Sequence, residues 1–123
     1  MKPETLIYQK VRNIIPEKST KTVFYCGITN TSQETFFYAF IDGEPIQCYT
    51  LAEQYELDEN ELEKVFSEII DIIKNSKNYN EDKYNVVTIY LDKSGIKMNA
   101  EYYDMDESEY RIKKRWRKEN IEN

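Results

Sequence analysis

Apolar and polar residues alternate most regularly between residues 84 and 110. Up to Leu91 the odd positions Val87, Ile89 and Leu91 are apolar; from Ile96 onward the even positions Ile96, Met98, Ala100 and Tyr102 are. A period of two sends successive side chains to opposite faces of a strand. Between the two runs, Asp92-Lys93-Ser94-Gly95 supplies a turn with a glycine where positive φ is needed. The stretch predicts a β-hairpin with one packed face and a wetter one carrying Thr88, Tyr90, Lys97, Asn99 and Glu101. Its second strand runs into an acidic step, Asp104, Asp106, Glu107 and Glu109, and then into a basic tail.

The rest of the chain reads in the same way. Apolar residues at three- and four-residue steps predict a helix over 4–15, stopped by Pro16. A strand over 22–28 and a turn at 30–33 follow. Residues 36–41, apolar on both sides, suit a central strand buried on two faces. Asp42-Gly43-Glu44-Pro45 turns the chain into a short strand over 46–50, and 51–57 reads as a connection. Asp58 is an N-cap with Glu61 three residues on, opening a helix to about residue 75 along the stripe Leu62, Val65, Phe66, Ile69, Ile70 and Ile73. After a polar loop over 75–83 comes the hairpin, then a last helix over 107–119 with Asp106 as N-cap. The order α-β-β-β-α-β-β-α predicts an α+β fold: an antiparallel sheet of about five strands with helices packed on one face. Residues 1–123 make one domain, without internal repeats or linkers.

Composition changes this picture in four ways. The chain has no apolar leader and no long apolar run, which predicts a cytoplasmic protein. There is no histidine, which removes the commonest general base and metal nitrogen ligand and argues against an enzyme, a cofactor or a metal centre. Cys26 and Cys48 show no CxxC spacing and read as reduced, buried thiols. Residues 1–110 hold 21 acidic and 11 basic side chains, a net of −10, whereas 111–118 (RIKKRWRK) hold six basic and no acidic ones. An anionic body favours basic partners.

Three local signals carry candidate chemistry. The carboxylates of 104–109 lack EF-hand spacing and the loop glycine; they read as a solvated helix start or as an anionic contact surface. The basic tail reads as a helix C-terminus stabilised by its dipole, with Trp116 as packing anchor, or as a nucleic-acid or membrane contact. Tyr90, Tyr103 and Tyr38 read as ordinary strand residues or as a tyrosine-bearing protein-binding face.

Several segments, in order and spacing, resemble one known family. They are Ile14-Ile15-Pro16-Glu17, Lys21-Thr22-Val23-Phe24-Tyr25, Phe36-Phe37-Tyr38, Tyr55-Glu56-Leu57-Asp58-Glu59, and the run from Leu91 through Lys97 to Glu101-Tyr102-Tyr103-Asp104. Together they resemble the YezG-like immunity proteins, which include the EsaG-type antitoxins. The similarity thins after the acidic step, where only Tyr110, Trp116 and the neighbouring Arg and Lys echo the family's aromatic-basic segment. The resemblance implies an immunity protein that binds and neutralises a cognate bacterial toxin, typically a nuclease. A nuclease holds phosphates on a basic surface, so an anionic domain fits it. On that reading Asp42, Glu44, Asp104, Asp106, Glu107 and Glu109 supply the anionic face, with Tyr102 or Tyr103 as aromatic anchor. The alternative is a nucleic-acid-associated regulator acting through 111–118.

Overall fold

The sheet is built outward from β1 (Lys21–Ile28), whose residues after Lys21 are all buried. In the computed structural model, which describes residues 2–122, β2 (Gln33–Ile41) pairs with one edge of β1 and β4 (Tyr84–Asp92) with the other. β3 (Glu44–Gln47) flanks β2 and β5 (Gly95–Tyr103) flanks β4, giving the order β3-β2-β1-β4-β5 with every pairing antiparallel. The fold is therefore α+β around a five-stranded antiparallel sheet. The central, doubly buried strand is β1; β2 has that place only in part, because Phe36, Tyr38 and Phe40 on one of its faces stay partly exposed.

Four helices dress this sheet: α1 (Pro3–Val11), α2 (Cys48–Gln54), α3 (Glu59–Lys74) and α4 (Glu109–Asn120). Phe24, Cys26, Ile28, Phe37, Ala39, Val87, Ile89 and Leu91 meet the buried sides of α1, α2 and α3 in one core. Packing on one face holds for these three. α4 lies on the opposite face, where Ile112, Trp116 and Ile121 pack with Val23, Tyr25, Tyr84 and Val86. Since β1 and β4 are apolar on both sides, a cover on one face alone would leave the second apolar surface in water.

Local chemistry explains where the elements begin and end. α1 starts on Pro3, whose missing N–H is no loss at the first helical position. It stops at Val11 and not at residue 15: a turn in which Ile14 N donates to Val11 O at 3.0 Å follows it, and Pro16 keeps Ile15 out of the helical region; Ile14 still reaches the core. Asp58 caps α3 by accepting from Asn60 N at 2.9 Å. The third strand lies at 44–47, earlier than the expected 46–50, and 48–54 forms α2: the Gln47 side chain accepts from Tyr49 N, and Cys48, Leu51 and Ala52 share the buried side at helical spacing. The cap of α4 is Ser108, accepting from Arg111 N at 3.3 Å, in place of Asp106.

Candidate partner-binding surface

The eight residues proposed from the sequence fall into two groups at opposite ends of the sheet. Asp42 and Gly43 (φ 53° and 79°) form the two-residue turn between β2 and β3, a pair of positive φ values that suits a type I′ hairpin. Asp42 is thus placed by backbone geometry, and Glu44 begins the exposed edge strand beside it. Tyr102 and Tyr103 end β5, and Asp104, Asp106, Glu107 and Glu109 follow it into α4. A nine-residue strand and four strand spacings separate the groups, about 25 Å along the sheet and about 19 Å across it. The six carboxylates do not form one continuous patch.

The end at 104–109 is the better-built surface. Residues 104–110 are all exposed. A turn with Glu107 N donating to Asp104 O at 3.1 Å swings the chain from β5 to α4. Lys83 forms an ion pair with Asp104, and this bond, reinforced by Glu107 and Asp106, holds the Lys83 ammonium above its ordinary pKa. Met105 (49% exposed) and Tyr110 (71%) stand among the carboxylates, so the patch is both anionic and apolar. Met105 was missed in the sequence, and Tyr110 was noted there only in the family resemblance and not as a partner-binding residue; the signal was a large side chain inside an acidic run with no alternation to bury it.

Tyr102 and Tyr103 point to opposite faces, as neighbours on a strand must. Tyr102 lies on the α1–α3 side, 44% exposed, with its hydroxyl donating to Asn78 O. Tyr103 lies on the α4 side, donating to Glu101 Oε2 at 3.0 Å beneath the Arg115 guanidinium, 5.4 Å from the ring centre. Burial raises its phenol pKa.

A second acidic surface, read from the sequence as a connection, a cap and a segment of the family resemblance but not as a binding site, lies at the α2–α3 corner. Glu53, Glu56, Asp58, Glu59, Glu61 and Glu63 are exposed there, flanked by Tyr49 and Tyr55 at 37% and 39%. The Tyr49 phenol is raised by burial, with Glu63 and Glu59 adding to it.

The basic tail proves to be a covering helix. Trp116 Nε1 donates to Thr88 Oγ1 at 2.9 Å, and its ring meets Tyr25 and Phe36 edge-on at 5.2 and 5.7 Å. Lys113 pairs with Glu34 at 2.9 Å, and Arg117 Nε donates to Tyr38 Oη at 3.1 Å. With Arg115 on Tyr103, three of the six cations contact the sheet, while Arg111, Lys114 and Lys118 lie exposed. Among the described residues no three His, Cys, Asp or Glu side chains are grouped to hold a metal ion. A cavity of about 110 Å³ between α1, the end of α3 and β5 is lined by Ile73, Tyr79, Val87, Met98 and Ala100. It is below the roughly 300 Å³ at which small-molecule sites begin.

What the fold and surface define is a small α+β domain whose exposed chemistry is anionic and aromatic at two corners and basic along one helix. The chain belongs to the YezG-like immunity protein family, whose model matches residues 5–122. Membership gives it an immunity, or antitoxin, role with a cognate toxin as partner. No curated protein matches the sequence.

Proposed function

We propose that the protein neutralises a nuclease toxin by covering its basic substrate-binding surface, acting in the cytoplasm as a stoichiometric binder without catalysis. The observation that carries this reading is the exposed run of 104–110, where four carboxylates surround Met105 and Tyr110 on a body of net −10 before residue 111. Such a patch offers Coulomb attraction for steering and an apolar anchor for desolvation, the two parts that tight interfaces combine. Tyr102 is the anchor if the partner extends over the α1–α3 side, Tyr103 if it extends over α4. Asp42 and Glu44 lie too far away to share the centre of that contact and would meet a partner only at its rim.

The test is co-purification with the product of the adjacent reading frame, followed by charge reversal. Asp104, Asp106, Glu107 and Glu109 changed together to Lys should abolish protection in cells; a desolvated charge that loses its partner costs about 2–5 kcal/mol. Reversal of Glu53, Glu56, Glu59 and Glu63 is the matched control for net charge. Loss of binding only in that control would move the site to the α2–α3 corner. Equal, small losses in both would reduce the role of charge to steering. A second reading follows from the exposed Arg111, Lys114 and Lys118: oligonucleotide binding that weakens steeply with salt and disappears when these three are neutralised.

A further inference from the structure

The two edges of the sheet are treated very differently. β3 is four residues long, contains Pro45 and runs directly into α2, all of which block further pairing. β5 is nine residues long, contains no proline and is exposed along most of its length. Such an edge is a template for another strand.

The hydrogen-bonding direction of β5 follows from its hairpin. Asp92 and Gly95 close a two-residue turn as a bonded pair, so the odd residues of β5 exchange bonds with β4. The N–H and C=O groups of Ile96, Met98, Ala100 and Tyr102 therefore point away from the sheet. An antiparallel partner strand must present its own outward-bonding residues opposite these four.

We infer that β5 pairs with β5 of a second copy of this chain, antiparallel and centred on Asn99, to make a continuous ten-stranded sheet. In that register Ile96 faces Tyr102 and Met98 faces Ala100, each pair from both sides of the two-fold axis. All four are outward-bonding residues, so the two strands exchange about eight backbone hydrogen bonds. On the α1–α3 side the facing residues are all apolar. On the α4 side Lys97 of each copy stands opposite Glu101 of the other, as a non-hydrogen-bonded pair with Cα atoms about 4.5 Å apart. Both side chains are exposed, so each copy brings one cation and one anion to an isologous contact. The strand is thus complementary to itself in backbone parity, in apolar face and in charge. A toxin strand would need to supply all three independently. This inference concerns the edge of β5 and does not rest on the toxin reading of 104–110.

Sedimentation of the full chain over a range of concentrations tests it, together with amide exchange. The wild type should dimerise reversibly, and the Ile96, Met98, Ala100 and Tyr102 amides should gain protection as concentration rises. Lys97→Glu sets like charges opposite each other twice and should weaken the dimer roughly 10- to 30-fold. Adding Glu101→Lys to it reverses both charges in both copies and should restore association. Ala100→Pro removes only an outward N–H and should leave a monomer. A chain that stays monomeric into the millimolar range overturns the inference, as does a dimer indifferent to Lys97→Glu or not rescued by the double exchange. Protection of the four amides that appears only on adding toxin also overturns it, in favour of a toxin strand on the same edge.

Discussion

The docking of α4 can be tested through one buried hydrogen bond. Trp116 Nε1 and Thr88 Oγ1 meet at 2.9 Å, with Trp116 4% and Thr88 2% exposed. Trp116→Phe keeps an aromatic ring against Tyr25 and Phe36 but removes the donor, leaving the Thr88 hydroxyl oxygen buried without it. An orphaned buried polar group costs about 1–3 kcal/mol, and the smaller ring leaves a partial cavity worth about 1 kcal/mol more. Thr88→Val orphans the indole N–H instead, at about 1–3 kcal/mol. Combining the two removes both polar groups, so only the cavity remains and the double variant should be about 2–6 kcal/mol more stable than the sum of the single losses predicts. The cycle isolates the bond where neither single value does. Urea unfolding followed by far-UV circular dichroism is the assay, since the chain has only one tryptophan and its fluorescence is lost in the variant. Single effects that add within about 0.5 kcal/mol would refute the reasoning. Because 104–108 tie β5 to α4, the Trp116→Phe variant should also bind toxin more weakly under the proposed function.

Three further outcomes follow from the same packing. A Cβ on Gly27 would collide with Tyr84 Oη, so Gly27→Ala must separate the buried Tyr25–Tyr84 hydroxyl pair (2.7 Å); thermal unfolding should show a loss of about 1–3 kcal/mol. The Tyr79 hydroxyl is buried without a hydrogen-bond partner among the described residues, so Tyr79→Phe should be neutral or stabilising by up to about 1 kcal/mol, and a loss of that size would reveal a partner such as bound water. Burial raises the Tyr25, Tyr84 and Tyr90 phenols and pushes the Cys26 thiol up to about 12. Groups that hold protons more tightly when folded contribute stability that is intact below the unfolded pKa and is lost as pH rises toward the folded one. Urea midpoints should therefore stay level through neutrality, where no histidine titrates, and fall above about pH 9, each fully titrating group contributing about 1.4 kcal/mol per pH unit.

Legibility in the sequence followed the strength of local periodicity. The β4–β5 hairpin, the buried stripe of α3 and its Asp58 cap could be read because each is specified by neighbours in the chain. The pairing of β4 with β1 could not, since both strands are apolar on both faces and nothing local distinguishes which edge of the meander is taken. The same ambiguity hid the side on which α4 packs. Its stripe of Ile112 and Trp116 announces that one face is buried, but the receiving surface is Val23, Tyr25, Tyr84 and Val86, drawn from two distant strands. α2 was hidden for another reason: Cys48, Leu51 and Ala52 give only one helical turn of pattern, too little against a preceding strand. At the candidate surface the carboxylates were legible, whereas their division between two ends of the sheet required the strand order.

That division changes what the charge distribution can do. As a linear sequence, the chain is an anion with a cationic appendage, and the two would be expected to fold onto each other and cancel. α4 instead docks through Ile112 and Trp116, and its flanking cations contact Glu34, Tyr38 and Tyr103 and not the 104–109 carboxylates. Among the described residues Lys83 is the cation that pairs with that run, through Asp104. The charges are thus kept apart: basic side chains along the outer side of α4, acidic ones at the exit of β5 and at the α2–α3 corner. A basic partner approaching such a molecule is attracted at the acidic ends and repelled over α4, so the field selects an orientation before contact as well as raising the encounter rate. Packing on the second face of the sheet is what makes this possible, because the helix that carries six of the 17 cations is held by apolar contacts and has no need of the carboxylates that precede it.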